Sequence, residues 1–575
     1  MDLAARAESV TVGVHEMIMG ANRAGMGEVR AIDLYAGIGG WSLGLRLAGV
    51  EVVASYEWWQ PAIDTHNGNH RSDLTTTNVR TLDLDDLPAN FDLVVGSPPC
   101  TEFSYANRGG SGDLAEGLKD LVRFFEVVDH LKPRWWAMEN VPRVADFMRA
   151  GFADPKNPLH RFGHLNPVIE VIDFSDYGAA QARRRCIASN IPLGLIDAYK
   201  SKLPARTLGD VVAALHAEGD VIQDPIWGAV LPRADVTETE AEPALVGEEL
   251  RMNRDAKAHH AVYNNMAFPD RLNEPSRTVT ATCTRVSRES IVIEDPLRPG
   301  TFRRLTIRER ASLQGFPINY QFYARSFAEK AKMIGNAIPP TFTYLLASAA
   351  QGVKAENFKG LIIDAQGFGL PQLLPKVTPP EKAGRTYPEG RSFRAAIPGL
   401  RFKSGMRFEL SNRGSRTDRD WRVRFFFGPS KDIREIDLDG GVLEELSKTL
   451  MAHPAFARAW IAIEQATLRL GDADSRTLQL AWAHKGDGHA PFNVVDTLAE
   501  VAAEILTAIE AWSTEGTNGA LAEAYVLNVA AGAEPVSDVP GSAKLTRNAK
   551  AILAGLLVGD WFNVGRFTTR RQKAA

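Results

Sequence analysis

Short apolar runs alternate with amphipathic stretches in the first part of the chain. Four of the runs predict buried strands: AIDLY (31–35), VEVVASYE (50–57), FDLVVGS (91–97) and RWWAMENV (134–141). Two intervening stretches have apolar residues at helical spacing, WSLGLRLAG (41–49) and DLVRFFEVVDHLK (120–132). Because strands that alternate with helices form parallel sheets, the pattern predicts a doubly wound α/β domain.

Chemically distinctive residues follow these predicted strands. Tyr35, Glu57, Cys100 and Glu139 all fall at or just beyond a strand's carboxyl end. Ligands of doubly wound α/β domains bind at this edge of the sheet. The coincidence predicts one site formed by all four residues.

The turn DLYAGIGG (33–40) joins the first strand to a helix. Glycines lack a Cβ, so such a turn lets the backbone approach a ligand at a helix N-terminus. Glu57 is suited to the two hydroxyls of a ribose, and the neighbouring Trp58 offers a flat face for a purine. Alternatively, the turn serves only packing, Glu57 is a surface acid and Trp58 is a core aromatic.

Cys100 follows two prolines in SPPC and precedes the polar residues TEFS. Cysteine reacts as the thiolate, so this position suits a nucleophile at the exposed end of a strand. The alternative is a small core residue. The glycine-rich segment NRGGSGD (107–113) is typical of either a lid that closes over substrate or a surface loop.

Two further motifs carry candidate charges. Glu139 follows Trp135, Trp136 and Met138, and a carboxyl among apolar neighbours keeps its proton more readily and donates a hydrogen bond. A structural acid paired with an arginine is the alternative. In QARRR (181–185), Arg183 and Arg185 lie on one side of an extended segment, where they could hold a carbonyl or phosphate oxygen or simply face solvent.

Composition narrows the class of protein. The chain of 575 residues is too long for one core, and its 45% hydrophobic and 24% charged residues are ordinary for a globular protein. Three scattered cysteines without a CxxC pair predict neither disulfides nor a metal site. The N-terminus lacks a secretory signal and no apolar run is long enough for a membrane span, so we expect a cytoplasmic protein without a membrane partner. The net charge of −4 neither favours nor excludes a nucleic-acid partner.

These residues, in this order, resemble the DNA cytosine-C5 methyltransferases. DLYAGIGG is similar to the cofactor turn of that family, commonly DLFAGxGG, and SPPC to its nucleophile motif. ENV, QARRR, the RxLTxRExxxLQGFP stretch and GNAIPP match its later motifs. The match covers roughly residues 29–186 and 274–350.

The resemblance implies a Rossmann-like S-adenosylmethionine-dependent methyltransferase that acts on a cytosine flipped out of double-stranded DNA. It gives catalytic roles to four residues: Cys100 would attack C6, Glu139 would hold N3 and the amino group, and Arg183 with Arg185 would support O2 and the nearby backbone. It places nine residues around the cofactor: Asp33, Tyr35, Gly37, Gly39, Glu57, Trp58, Asn78, Pro99 and Asn336. A bacterial or phage origin and a cognate restriction endonuclease as a second partner fit the same family.

The resemblance, together with composition and patterning outside it, divides the chain. We expect an appended segment (1–28), two parts of the methyltransferase domain (29–185 and 274–350), a target-recognition region (186–273), a linker (351–398) and a C-terminal α+β domain of unknown role (399–575). Within 399–575, arginines interleaved with aromatics would suit DNA backbone and base contacts or the exposed face of an ordinary sheet. Base readout needs polar groove-facing side chains, and five candidates lie near or within the recognition region: Arg251, Asn253, Arg254, Arg271 and Arg285.

Two positions depart from the family pattern. Asn78 stands where an acid commonly contacts the adenine amino group, and its uncharged carbonyl can still accept that bond. Thr101 follows the nucleophile where glutamine is frequent. Three alternatives remain open from the sequence: the same chemistry on RNA, a modified cofactor, and a non-catalytic DNA-binding protein on this scaffold.

Overall fold

The computed structural model places the chain in two compact units. The first unit comprises Met1–Arg254 and Ala267–Glu381, and the second comprises Asp255–Met266 and Lys382–Ala575. The structure describes residues 29–100, 102–103, 113–258, 266–362, 371, 374–382, 384–402, 405–414, 419–429, 432–438, 444–471, 473–532 and 534–566. The predicted appended segment 1–28 lies outside these residues.

The first unit contains a six-stranded sheet in the order β2-β1-β3-β4-β6-β5. Its strands are β1 (Arg30–Leu34), β2 (Glu51–Tyr56), β3 (Leu93–Gly96), β4 (Trp135–Asn140), β5 (Val168–Asp173) and β6 (Arg184–Ser189). Strands β2, β1, β3 and β4 are parallel, which confirms the predicted α/β fold. Strand β6 runs antiparallel to both β4 and β5, so one edge departs from the parallel pattern.

Both faces of this sheet are covered, which explains why its strands are apolar on both sides. Leu93 and Val95 of β3 belong to one core and Val94 to the other, as the alternation of side chains along a strand requires. The helices of the unit are Gly40–Leu47, Gln60–His70, Leu114–Leu131, Arg143–Ala153, Leu193–Asp197, Leu208–His216, Gly247–Ala258, Ile307–Leu313, Phe327–Asn336 and Pro340–Ala350. Gly247–Ala258 continues into the second unit.

The region 186–273 contains three of these helices, Leu193–Asp197, Leu208–His216 and Gly247–Ala258. Two short strands, β7 (Val221–Gln223) and β8 (Val230–Pro232), pair with each other, and β9 (Val292–Glu294) pairs with β10 (Phe302–Arg304) beyond the region. The acidic stretch 236–249 is partly buried against cations of the later motifs. Its ion pairs are Glu238 with Lys330, Glu242 with Arg304, and Glu249 with Arg285. Burial of such charges is tolerated because each has a partner.

The second unit is built on an antiparallel sheet. Its strands follow in chain order: β11 (Arg394–Arg401), β12 (Arg407–Gly414), β13 (Arg419–Phe427) and β14 (Arg434–Asp437). Its helices are Glu444–Met451, Ala457–Leu470, Ser475–Trp482, Pro491–Trp512, Asn518–Ala531, Ser542–Arg547 and Ala549–Asp560. One sheet face is buried, and Phe408 on it lies so close to Gly555 that a Cβ there would overlap its ring.

The unit boundary falls at Glu381, inside the predicted linker 351–398. Residues before it are tied to the first unit, since Lys330 donates to the carbonyl of Lys376 (3.1 Å) and Arg304 to Glu381 (2.8 Å). Within the described part of the chain, no helix is long and apolar enough to cross a membrane. The same residues contain no cluster of three or more metal-ligating side chains.

Candidate active site

The glycine turn after β1 has the backbone geometry that its glycines allow. Tyr35 (φ 54°), Gly37 (φ 56°) and Gly39 (φ 88°) are all left-handed. A Cβ on Gly37 would meet nothing within 4 Å, so the turn borders open space at that point. A Cβ on Gly39 would instead collide with His70, which shows that this glycine serves close packing.

Glu57 is fixed by the turn and by its own neighbours. Its Oε2 accepts a hydrogen bond from the Gly37 amide (2.8 Å), and its Oε1 accepts from the amides of Trp58 (2.9 Å) and Trp59 (2.8 Å). Three donors hold the carboxylate in one orientation, and its remaining lone pairs can accept hydroxyl groups. The Trp58 side chain beside it is 64% exposed, so it is not a core aromatic.

Asn78 lies next to this carboxylate. The Thr77 amide donates to the Glu57 carbonyl (2.8 Å), which brings segment 76–78 against the end of β2. The Asn78 side chain is exposed, and its Oδ1 already accepts from the Arg80 amide (3.1 Å). One acceptor position on that oxygen therefore stays open.

Asp33 is completely buried below the turn. Its Oδ2 accepts from the amide (3.1 Å) and hydroxyl (2.7 Å) of Ser42, whereas Oδ1 has no hydrogen-bond partner among the described residues. Burial raises the pKa of Asp33 to about 7, although the hydrogen bonds from Ser42 act to lower it. These features fit the nucleoside cofactor that the resemblance implies: an open turn, an oriented carboxylate, an exposed indole and an orphaned buried carboxyl oxygen.

The SPPC turn (97–100), named the nucleophile turn after its candidate nucleophile Cys100, follows β3. Pro98 is buried, Pro99 is exposed, and Cys100 is partly exposed. The Cys100 carbonyl accepts from the Phe103 amide (3.0 Å), and the Pro98 carbonyl accepts from the Asn140 side chain (3.1 Å). Cys100 is therefore neither a core residue nor freely solvated. Residues 101 and 104–112, with Thr101 and most of the predicted lid, lie outside the described residues.

Burial raises the pKa of the Cys100 thiol, and the nearby Glu139 charge raises it further. Arg185 and Arg183 act in the opposite direction. The thiol is thus protonated at rest, with two cations close enough to favour the thiolate. Glu139 itself is 5% exposed on β4, and its Oε1 lies 3.0 Å from Nε of Arg185.

Arg183 contacts backbone, which is one of the two roles that the resemblance implies for Arg183 and Arg185. It is 1% exposed and donates to the carbonyls of Val279 (3.0 Å), Gly335 (2.8 Å) and Ala337 (3.2 Å). These bonds fix the two carbonyls that flank Asn336, whose own side chain is exposed at the end of helix Phe327–Asn336. Only Nε of Arg183 lacks a partner among the described residues.

Sequence reasoning missed two residues of the nucleophile turn. Asn140, part of ENV, donates to the Pro98 carbonyl. The signal available in the sequence was an amide directly after an acid at the end of a strand. Phe103 is fully buried against Phe147 (ring centroids 5.1 Å apart), and nothing local distinguished it from a loop residue.

Two of the five base-readout candidates are unsuited to that role. The Asn253 amide is buried and donates to the carbonyls of Glu249 and Arg285 (2.9 Å each). Arg285 is also buried, in its pair with Glu249 (2.6 Å). Arg254 and Arg271 are exposed, and Arg251 is half-buried.

Comparison with known proteins agrees with this geometry. The family model of C-5 cytosine-specific DNA methylases matches residues 29–351, more than half of the 575-residue chain. Type II methyltransferase M.HgiDI of Herpetosiphon aurantiacus is 28% identical over 56% of this chain and 94% of its own length. Type II methyltransferase M.HindV of Haemophilus influenzae is 27% identical over 58% of this chain and all of its own length. The chain therefore belongs to the C-5 cytosine-specific DNA methylase family, whose members use S-adenosylmethionine as the methyl donor.

Proposed function

We propose that this protein methylates C5 of a cytosine flipped out of duplex DNA, through a covalent bond between Cys100 and C6. The observation that carries the proposal is the grouping of Cys100, Glu139 and Arg185 at one edge of the sheet. The charges of Glu139 and Arg185 both act on the thiol, and the two charged groups contact each other at 3.0 Å. Such a grouping has no purpose in a protein that only binds DNA.

The chemistry follows from these groups. The Cys100 thiolate forms a bond to C6, while Glu139 holds N3 and the amino group and stabilises the charge that develops on the ring. C5 thereby becomes nucleophilic. The bound cofactor supplies an electrophilic methyl group for it. Loss of the C5 proton to a base and cleavage of the sulfur–C6 bond then restore the thiolate and release 5-methylcytosine.

The cofactor pocket is assigned from the same geometry. Glu57 would accept the ribose hydroxyls, Trp58 would stack on the adenine, and Asn78 would accept from its amino group. Asp33, Tyr35, Gly37, Gly39, Pro99 and Asn336 would complete the pocket. The orphaned Oδ1 of Asp33 supports a polar contact there, since a buried carboxyl oxygen without a partner is costly.

Arg185 and Arg183 have separate tasks in this proposal. Arg185 orients Glu139 and favours the Cys100 thiolate. Arg183 fixes the backbone around Asn336, and its Nε, which has no partner among the described residues, remains available for the target base. Residues 186–273 would recognise the DNA sequence around the target. Because the relatives are type II methyltransferases, a cognate restriction endonuclease is a candidate partner.

The proposal is tested by mechanism-based trapping. The protein is incubated with methyl-labelled S-adenosylmethionine and a duplex library that contains 5-fluorocytosine. Fluorine at C5 cannot leave as a cation, so the final elimination is blocked and a labelled covalent adduct accumulates.

We expect an adduct that is lost in Cys100→Ala and retained in the matched controls Cys186→Ala and Cys283→Ala. An adduct that survives Cys100→Ala contradicts the proposed nucleophile. Adducts on RNA but not on DNA contradict the proposed substrate, and no adduct on either contradicts the proposed reaction. Bisulfite sequencing of DNA from expressing cells then identifies the methylated sites.

A further inference from the structure

Two segments of the proposed cofactor pocket are attached to one buried carboxylate. The Tyr35 hydroxyl donates to Oδ1 of Asp120 (3.3 Å). Arg80 donates to the same carboxylate twice, from Nε to Oδ1 (2.8 Å) and from Nη2 to Oδ2 (2.6 Å). The Arg80 amide also bonds the Asn78 side chain, and Asp120 is only 4% exposed. The glycine turn and the Asn78 segment therefore meet at Asp120.

The protonation states suit these bonds. Burial, together with the charge of Asp120, raises the pKa of Tyr35, so its hydroxyl stays a donor. Hydrogen bonds to Asp120 and Glu116 raise the pKa of Arg80, which therefore remains a cation. A bidentate guanidinium–carboxylate pair is among the stronger and more directional polar contacts in proteins, and here its carboxylate is buried.

Asp120 belongs to helix Leu114–Leu131, which also supports the nucleophile turn. Gly117 lies three residues earlier on the same face of this helix, and its missing side chain leaves room for the Phe103 ring. A Cβ there would lie 2.5 Å from Cε2 of Phe103. The Phe103 amide in turn holds the Cys100 carbonyl at 3.0 Å. One rigid helix thus contacts both the cofactor pocket and the nucleophile.

We infer that Asp120 is a positioning residue that couples occupancy of the cofactor pocket to the placement of Cys100. A ligand bound against Tyr35 and Asn78 would shift the position of Asp120. Through Gly117 and Phe103, the same shift would move the nucleophile turn. Tyr35 stands where the family pattern commonly has phenylalanine, so its hydroxyl bond is a feature of this chain. The inference rests on the proposed function only in placing the cofactor at Tyr35.

The test uses the full chain and needs no DNA. Iodoacetamide alkylates Cys100, and peptide mass spectrometry gives its rate with and without saturating S-adenosylhomocysteine; Cys186 and Cys283 are buried. Calorimetry confirms saturation for each variant. The variants are Tyr35→Phe, Asp120→Asn and their combination. Asp129→Asn is the matched control, because this carboxylate lies on the same helix but pairs with His164 on the exposed side.

We expect S-adenosylhomocysteine to change the rate of Cys100 alkylation in the wild type by about fivefold or more. A fivefold change is the lower end of typical couplings between two sites. Tyr35→Phe and Asp120→Asn should each reduce that factor to below about twofold, and the double variant should add nothing further. Asp129→Asn should behave as wild type. In methylation assays at saturating S-adenosylmethionine, the two single variants should also lower kcat by a larger factor than they raise the KM for DNA.

An unchanged ligand effect in both variants overturns the inference, because it would show direct shielding of Cys100 by the ligand. Absence of any effect in the wild type overturns it as well. If Asp120→Asn does not fold, Tyr35→Phe alone decides, since it removes one hydroxyl. Failure of the proposed function would appear separately, as the absence of a trapped adduct or of ligand binding.

Discussion

Replacement of Gly117 by alanine tests how the nucleophile turn is seated. The added Cβ would lie 2.5 Å from one ring carbon of Phe103 and 2.8 Å from another, against at least 3.4 Å for an ordinary contact. The buried ring must therefore move by about 1 Å. Because its amide holds the Cys100 carbonyl, the nucleophile moves with it. A misplacement of about 1 Å costs on the order of 10²-fold in rate, equivalent to about 2.7 kcal/mol.

Stability should change much less than activity in this variant. Alanine in place of a helical glycine gains about 0.5–1 kcal/mol, whereas overpacking costs about 1–3 kcal/mol. The net loss is therefore at most about 2.5 kcal/mol, measured as a shift in urea denaturation. Gly194→Ala is the matched control, because Gly194 is an exposed helical glycine with nothing within 4 Å of its added Cβ.

Methylation assays on the two variants decide the outcome. We expect kcat to fall on the order of 10²-fold in Gly117→Ala and to stay unchanged in Gly194→Ala. If Gly117→Ala gains stability and keeps full activity, Phe103 does not seat the nucleophile turn, and the reasoning is refuted.

Three further predictions concern single groups. Glu139→Gln should speed alkylation of Cys100 at neutral pH, because the lost charge had raised the pKa of the thiol, while methyl transfer falls by orders of magnitude; a slower alkylation would contradict the electrostatic argument. Asn140→Ala should lower stability by about 1–3 kcal/mol and reduce kcat, since the buried Pro98 carbonyl loses its donor; unchanged urea denaturation would count against it. Asp33→Asn should remove a loss of stability that the wild type shows between about pH 4 and pH 7, amounting to at most about 4 kcal/mol, because a carboxyl whose folded pKa is raised to about 7 stabilises the fold only while protonated. Urea denaturation across this pH range gives the slope of the unfolding free energy against pH for the wild type and for Asp33→Asn. Equal slopes in the two proteins would contradict the raised pKa.

Much of the first unit could be predicted because its signals are local. Apolar runs bounded by turn residues located β1 to β4 within one or two residues at most ends, and the chemistry of Cys100 and Glu139 stood out at strand ends. The antiparallel edge formed by β5 and β6 could not be predicted, since strand direction depends on pairing between distant segments.

Residue roles were predicted less well where a side chain acts through a long-range contact. Nothing within QARRR indicated that Arg183 bonds carbonyls about 150 residues away, at Gly335 and Ala337. Three acids of the stretch 236–249 pair with buried cations, and the sequence around them did not indicate these partners. No local pattern distinguishes an exposed charge from a paired one.

By itself, the sequence determined the family and the α/β class of the first unit, and it pointed to the candidate reactive groups, because motif order, hydrophobic periodicity and side-chain chemistry are properties of neighbouring residues. Only the tertiary structure decided which groups meet. Asp120 gathers Tyr35 and Arg80 from 85 and 40 residues away, and Gly117 receives Phe103. Such convergence depends on close packing of helix Leu114–Leu131 against the sheet, a property of the whole core rather than of any segment.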